Sequence, residues 1–466
     1  MKKARITAAV CATAMTGVLL TSGQIPATTT PSAVAASAPA ALASARTDGE
    51  ALQRSLRAAP EEGLETPFEQ SNGSRWTSVA QARKFRHQLD AASDRVTVQT
   101  VGRSGDRQPI ELVSVGFPRP KPLAEAAKGS VVLFNCSIHG NEPSGREGCL
   151  QMARDMSTTN DPNWKRLLKQ STVLFININP DGWKANTRGN ADGVDVNRDF
   201  LGLKTPEAQT LAKVMRDWKP DVMNDLHEFG PREYYDTQAL VLWPRNRNVD
   251  PQIHDLSQRM VNDYTGAQIE AGGHSTGIYG ELVKDGVAFQ QIAGDHQARI
   301  LRNYTGLKHI TGQLTETASR AVPDDADQGA TAVNRRRVTD QYASAMGSMS
   351  MMMENRRQLA RQSDQAAERA TQAGADRSGV IYFSGQDNML PTSSAGVETN
   401  PMCGYQLTAA QLKDTRQTMK LHGISWTRND DGAYVSLAQP GRSLIPLLFD
   451  ERAEYGITEA APVTQC

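Results

Sequence analysis

Val-Val-Leu-Phe-Asn-Cys-Ser-Ile-His-Gly-Asn-Glu, residues 131–142, is the stretch that decides the fold of this chain. Its first four residues make a short apolar run bounded by small and polar ones. That predicts a strand buried on both faces of a parallel or mixed sheet. His139 and Glu142 follow at once, three positions apart, with Gly140 between them to let the backbone turn. Pro143 then suits the first turn of a helix, where its missing N–H is an orphan anyway. The sequence thereby delivers an imidazole and a carboxylate to the carboxyl end of a strand, where open α/β sheets place their ligands. Such a pair can share one metal ion if a third ligand arrives from elsewhere, although a lone His–Glu pair is more often a surface hydrogen bond.

On both sides of this stretch strands alternate with helices. Upstream, 79–89 reads as a helix, and 96–101 and 110–115 read as strands joined through a turn at 102–105. Downstream come a helix over 145–156 and a strand over 172–178. The turn cluster Asn-Pro-Asp-Gly-Trp at 179–183 follows, then a long loop, 184–200, that carries Arg188 and Asp195-Val-Asn-Arg-Asp199. A helix starts at Pro206 with Thr205 as its N-cap. A strand over 221–226 ends at His227-Glu228, residues 231–300 are less regular, and a strand over 310–314 leads straight into Thr315-Glu316. From 329 to 370 the pattern is helical, because Val338, Tyr342, Ala345, Met349 and Met352 recur at steps of four and three, and its methionines are expected to pack on the sheet. After 378 the chain restarts with strands at 380–383, 434–437 and 444–448 and a helix at 409–421. The expected class is α/β: a mixed, largely parallel sheet flanked by helices, with a small C-terminal α/β module. The expected division is a signal peptide over 1–45, a linker over 46–72, a catalytic domain over 73–375 and an accessory module over 376–466.

With 466 residues, 39% hydrophobic and 22% charged, the composition is that of a soluble globular protein with room for two domains. Basic and acidic residues balance at 51 each, which argues against nucleic acid or an anionic membrane as partner. Lys2, Lys3 and Arg5 precede an apolar stretch over 6–20 and then a small-residue region, the order of a secretory signal peptide and too short for a span. Cleavage is expected between Ala36 and Ala45, with the mature protein released outside the cell. Of five cysteines, Cys11 leaves with the signal, and the remaining four allow three pairings in an oxidising compartment. Cys403–Cys466 is favoured. Cys136 and Cys149 either pair with each other or stay as buried thiols.

His139, Glu142, Arg188, Asp195, Arg198, His227 and Glu316 all fall at strand ends or in the adjoining loops. In this order, as H-x-x-E at 139–142, Arg188 followed by D-x-N-R at 195–198, D-L-H at 225–227 and L-T-E at 314–316, they resemble the zinc carboxypeptidase family of metallopeptidases. The resemblance covers roughly residues 73–330. It implies one zinc ion per chain held by His139, Glu142 and His227, a ligand set that leaves a fourth position for water. Zinc lowers the pKa of such a water toward ~7 and polarises the scissile carbonyl. Glu316 would then take the water's proton and hand it to the leaving amine. Arg188 corresponds to the family's cationic stabiliser of the oxyanion. Asn197 and Arg198 would hold the substrate's terminal carboxylate, and Asp195 would orient His139.

Three assignments stay open at this stage. Glu316 could instead pair with Arg320, and Glu228 sits beside His227 as a rival ligand. For the mobile tyrosine that covers the substrate terminus in the family, Tyr279 is the candidate and Tyr304 the reserve. The function implied is a secreted metallocarboxypeptidase acting as a monomer on peptide or protein C-termini, with no nucleic acid and no stable membrane span. The alternative keeps the fold and metal but makes the enzyme an amidase or deacylase of cell-wall peptides or N-acyl amino acids. A non-catalytic peptide-binding protein is the third reading, and the intact set of ligands and Glu316 weighs against it.

Overall fold

In the computed structural model the described residues are 63–232, 235–284, 287–290, 296–326, 328–385, 387 and 396–466, with backbone only over 281–290. The expected signal peptide and most of the expected linker fall outside them.

Among the described residues ten strands precede the C-terminal region: β1 (Val96–Arg103), β2 (Pro109–Val115), β3 (Ser130–Ser137), β4 (Ser171–Asn177), β5 (Val222–Phe229), β6 (Ala239–Leu242), β7 (Thr276–Ile278), β8 (Glu281–Lys284), β9 (Val287–Gln290) and β10 (Thr311–Ala318). Eight of them form one sheet in the order β1-β2-β4-β3-β5-β10-β6-β7, while β8 and β9 pair as a separate hairpin. The central run β4-β3-β5-β10 is parallel, and antiparallel pairs lie on both sides of it. All eight residues of β3 and all eight of β5 are buried. Helices on both faces cause this, and it is why 131–134 reads as a continuous apolar run with no alternation.

The pleat divides the core in two. Leu133, Leu174 and Met223 point to the face covered by α2 (Pro206–Trp218), which brings Leu211 and Met215. Val132, Phe134, Val173 and Val222 point to the other face, against α1 (Ser144–Thr158) and α4 (Ala330–Ala375), which contribute Met152, Met346, Met349 and Met352. The methionines of α4 do pack on the sheet. At Gly347 a Cβ would stand 2.6 Å from the Thr265 Cα, so only glycine lets α4 lie this close to the segment beside it.

The chain from 404 onward forms a four-stranded antiparallel sheet from Thr427–Asn429, Gly432–Ser436, Gly404–Thr408 and Ala461–Val463, with the helix Ala409–His422 packed on it. Its apolar residues, Tyr405, Leu407, Val435 and Phe449 among them, belong to the same core cluster as the α2 face of the large sheet. Disulfides join Cys136 to Cys149 and Cys403 to Cys466.

Several expectations need correction. The segment 444–448 forms a helix, Ile445–Phe449, where a strand was predicted. Pro446 lies in the first turn, where it costs no hydrogen bond, and a five-residue apolar run has no period to separate the two forms. The turn cluster at 179–183 is a short helix, Pro180–Ala185, capped by Asn179, whose side chain accepts from the Gly182 N–H. The less regular region contains a continuous helical stretch: Pro251–Arg259, a π-helical Met260–Gly266 and Ala267–Ala271. A helix over Pro162–Gln170, capped by Asp161 with Trp164, Leu167 and Leu168 inward, has no counterpart in the sequence reading. The end of the expected linker is folded: Thr66 and Glu69 form a capping box on Pro67–Gln70, and Phe68 stacks on Trp76. Among the described residues no helix is long and apolar enough to cross a membrane.

Candidate metal centre and active site

Three central strands aim their carboxyl ends at one point. Just beyond β3 the backbone turns at Gly140, which lies so close to the helix Pro180–Ala185 that a Cβ there would be 1.8 Å from the Gly182 carbonyl carbon. The Asn179 side-chain amide donates to the Ile138 carbonyl at 2.9 Å, and Ser137 Oγ donates to the His139 carbonyl at 2.5 Å, so the loop that carries His139 and Glu142 is fixed from both sides. On β5, Asp225 and His227 are two residues apart and share a face. On β10, Glu316 sits beside His227 in the parallel register.

His139 Nδ1 is 2.8 Å from Glu142 Oε1, His227 Nδ1 is 3.0 Å from Glu142 Oε2, and the two Nδ1 atoms are 3.1 Å apart. All three residues are buried, and their ligand atoms lie within 4.8 Å of one another. The far nitrogens are each held by a carboxylate: His139 Nε2 by Asp195 at 3.2 Å and His227 Nε2 by Asp225 at 2.7 Å. Proton donation from Nε2 to those carboxylates leaves both Nδ1 lone pairs facing each other and Glu142. A donor set of two lone pairs and a carboxylate suits a cation, and the imidazole–carboxylate pairs are the outer partners that ligating histidines usually have. With no metal between them, the same groups favour a proton at this point, which marks it as a place for positive charge. Burial works against protonation of His227, yet Asp225 and Glu142 outweigh it and raise its imidazole well above the ordinary value. Burial likewise pushes Glu142 up, and the two histidines overcome it and pull the carboxyl far below its usual range. The residues present therefore fit a zinc ion bound by two histidines and a glutamate.

Glu316 is partly buried beside this cluster, and its Oε2 has no hydrogen-bond partner among the described residues. Burial, with Glu142 adding to it against the pull of the histidines, pushes its carboxyl up to about 7. Arg320 turns away to the Pro231 carbonyl. Glu228 also points elsewhere, accepting from the Ser144 N–H at 2.6 Å and pairing with Arg337, so it is held apart from the ligand set.

Arg188 donates through Nε to Asp195 Oδ2 at 3.0 Å and brings Nη1 to 3.2 Å from His139 Nδ1. Asp195 Oδ1 accepts the Asn197 N–H at 2.9 Å, and burial, which would raise its carboxyl, is outweighed by His139, Arg188 and Arg198. Asn197 Oδ1 accepts the Leu301 N–H, at the start of α3 (Leu301–Leu307), at 2.9 Å, and Arg198 donates to the Asn197 carbonyl at 2.9 Å. Together with His139, His227 and Glu316, the residues Arg188, Asn197, Arg198 and Tyr279 line one cleft of about 310 Å³. Tyr279 stacks on Tyr235 at 5.5 Å between ring centroids, and burial followed by Glu316 raises its phenol above the ordinary value. Tyr304 is placed differently. It is buried in the core with its hydroxyl 3.0 Å from His422 Nδ1, which removes it as the reserve.

Sequence reasoning missed the outer supports. Asn135 donates to Asp225 at 2.7 Å, and Gln341 of α4 donates to the His227 carbonyl at 2.6 Å. It also missed Arg232, Tyr235 and Arg302 in the cleft wall. Only Asp225 left a usable signal, because D-x-H on a strand puts both side chains on one face.

A family model described as zinc carboxypeptidase matches residues 83–417. Carboxypeptidase 2 of Trichophyton rubrum is 29% identical over 198 residues, which is 40% of this chain and 36% of that protein. Carboxypeptidase SOL1 of Arabidopsis thaliana is 30% identical over 142 residues, 28% of each. The crystal structure of a metallo-carboxypeptidase from Burkholderia cenocepacia superposes with a TM-score of 0.46 at 16% identity, over 59% of this chain and 69% of that one. The matched segment thus spans about a third of the length of the fungal relatives, 36%.

Proposed function

The chain belongs to the zinc carboxypeptidase family, and on that footing we propose that it is a secreted metallocarboxypeptidase that removes residues from peptide C-termini. The observation that carries this reading is the convergence of His139, Glu142 and His227 within one cleft that also holds Glu316, Asn197 and Arg198.

His139, Glu142 and His227 would hold one zinc ion per chain. Zinc there supplies Lewis acidity, polarising the scissile carbonyl and lowering the pKa of water at the site. Glu316 takes the proton of the attacking water. Its unpartnered Oε2 and raised pKa suit a group that must accept a proton and then give it to the leaving amine. Arg188, whose guanidinium reaches the edge of the ligand cluster, faces the negative charge that develops on the carbonyl oxygen. Arg198 grips the substrate's terminal carboxylate with a planar fork, assisted by Asn197, whose position is locked by the Leu301 N–H. Tyr279, which lines the same cleft, covers the terminus. Two disulfides are consistent with an oxidising compartment and support secretion. In this reading residues 73–375 carry the chemistry, and the 376–466 module acts as a buttress.

The test is metal replacement. Protein stripped with a chelator and re-titrated should regain hydrolysis of blocked dipeptides in step with one zinc per chain. Full activity in the stripped protein, or stoichiometric zinc without hydrolysis, would count against the reading.

A further inference from the structure

The turn that carries two of the ligands is gripped by a buried cation. Arg146, in the first turn of α1, is 5% exposed. Its Nη1 donates to the Gly140 carbonyl at 2.9 Å and to Ser137 Oγ at 3.2 Å. Ser137 Oγ in turn donates its own proton to the His139 carbonyl. The guanidinium carbon lies 4.5 Å from the centroid of the Trp183 ring, on the helix Pro180–Ala185 that presses against Gly140. One side chain therefore touches the end of β3, the turn, and the helix that the turn packs on.

A buried charge is ordinarily paired with an opposite one. Arg146 forms no ion pair among the described residues. Burial opposes its charge, and Glu228, Glu147 and Glu142 lie near enough to favour it, but each of these is bonded elsewhere. Glu142 meets the two histidines, and Glu228 takes Arg337 and the Ser144 N–H. Glu147 accepts from the Thr77 N–H at 2.7 Å and from the Thr77 hydroxyl at 2.9 Å. The donors of Arg146 are left for the turn.

We infer that Arg146 is a positioning residue for the metal site, and that Ser137 relays its hold to His139. The assignment rests on the zinc reading of the site and concerns how the ligands are aimed. Gly140 is the weak point of the turn. Only glycine fits there, because a Cβ would meet the Gly182 backbone, and glycine, lacking a Cβ, restrains neither of its own dihedral angles. The peptide planes on its two sides end in the His139 and Gly140 carbonyls, the same two that Ser137 and Arg146 hold. Peptide units are planar, so fixing both fixes the two angles at Gly140. His139 lies one residue before this pivot and Glu142 two after it, so a rotation there changes the angle between the ligands. A charged donor bonds a carbonyl about twice as strongly as a neutral one, and the Trp183 face steadies the same charge. The Cys136–Cys149 disulfide fastens β3 to α1 three residues beyond Arg146, which keeps the root of that side chain beside the turn.

The experiment measures the zinc Kd of the full chain by competition with a chelator of known strength, beside urea denaturation of the metal-free protein. Arg146→Met keeps the apolar stem and loses the donors, so zinc should bind about 10- to 100-fold more weakly. Arg146→Lys keeps the charge without the planar fork and should fall between the two. Cobalt(II) at saturation should show altered d–d bands in Arg146→Met, a change that a loss of stability alone does not produce. Ser137→Ala removes only the relay and should weaken zinc by about 2- to 10-fold, and it decides the matter if Arg146→Met fails to fold. Zinc affinity and cobalt bands that match the wild type, whatever the stability of the metal-free variants, would overturn the inference and leave the zinc site standing. A wild-type protein that binds no zinc would sink the metal reading and this inference with it.

Discussion

At the scale of single residues, the site divides into groups that would touch the metal or substrate and groups that hold them in place. Glu316→Gln keeps the shape and removes the base. It should lower kcat by about 10²- to 10⁴-fold with zinc content unchanged, as metal analysis and steady-state kinetics on one sample would establish. Asp225→Asn acts at one remove. It weakens the bond that fixes His227, so it should reduce zinc affinity by about 10- to 100-fold, measured by competition with a chelator of known strength. If zinc affinity is unchanged in that variant, Asp225 does not orient the ligand. The candidate trio His139, Glu142 and His227 was legible in the sequence through the family resemblance of its motifs, each of which lies at or just beyond the end of a strand, and the structure brings the three residues together. Asn135, Gln341 and Arg146 were not legible. Their roles depend on which strands and helices become neighbours, and neither local pattern nor spacing reports that.

At the scale of elements, one turn and one buried imidazole make the account testable. The β3 turn approaches the Pro180–Ala185 helix through glycine backbone alone, so Gly140→Ala must push the two segments apart. The expected cost is about 1–3 kcal/mol of stability, as for other overpacked sites, accompanied by weaker zinc binding because His139 lies next in the chain. Urea denaturation with and without zinc would measure both. His422 belongs to the helix Ala409–His422. Its Nδ1 accepts from the Tyr304 hydroxyl and its Nε2 donates to the Leu201 carbonyl at 3.0 Å. Burial, reinforced by Lys308, pushes this imidazole down to about 3. An unfolded histidine takes up a proton below about 6.5, so between 6.5 and 3 the unfolded chain binds more protons than the folded one. Stability should therefore fall as pH drops through that window, by at most about 1.4 kcal/mol per pH unit. His422→Gln should flatten the loss between pH 7 and 5, and an unchanged acid slope in that variant would contradict the assignment. Six strands of the large sheet, β1 to β5 and β10, and the helices α1, α2 and α4 were readable from apolar runs and periodicity, whereas β6, β7 and the helical stretch over 251–271 were not. The helix Ile445–Phe449 was not, because five buried apolar residues look alike in either form and only their packing decides.

At the scale of the whole molecule, the C-terminal sheet and the α2 face of the large sheet share one apolar core, and Tyr304 and His422 bond across it. Composition could suggest a restart near residue 378 but could not show a shared core. A metal that binds only the folded chain stabilises the entire structure, so chelation should lower the melting temperature measurably, and zinc, in excess of its Kd, should restore it. A melting temperature indifferent to both would mean that the His139–Glu142–His227 cluster holds no metal in solution. The most direct test of the central claim compares hydrolysis of blocked dipeptides with a free C-terminus against the same peptides as C-terminal amides, with zinc and after chelation. The site described here predicts zinc-dependent cleavage of the free acids and at least 100-fold slower cleavage of the amides, because only the acids engage Arg198 (about 3 kcal/mol for a charge-assisted bidentate contact). Equal cleavage of acids and amides would contradict it and move the enzyme to the amidases of the same fold.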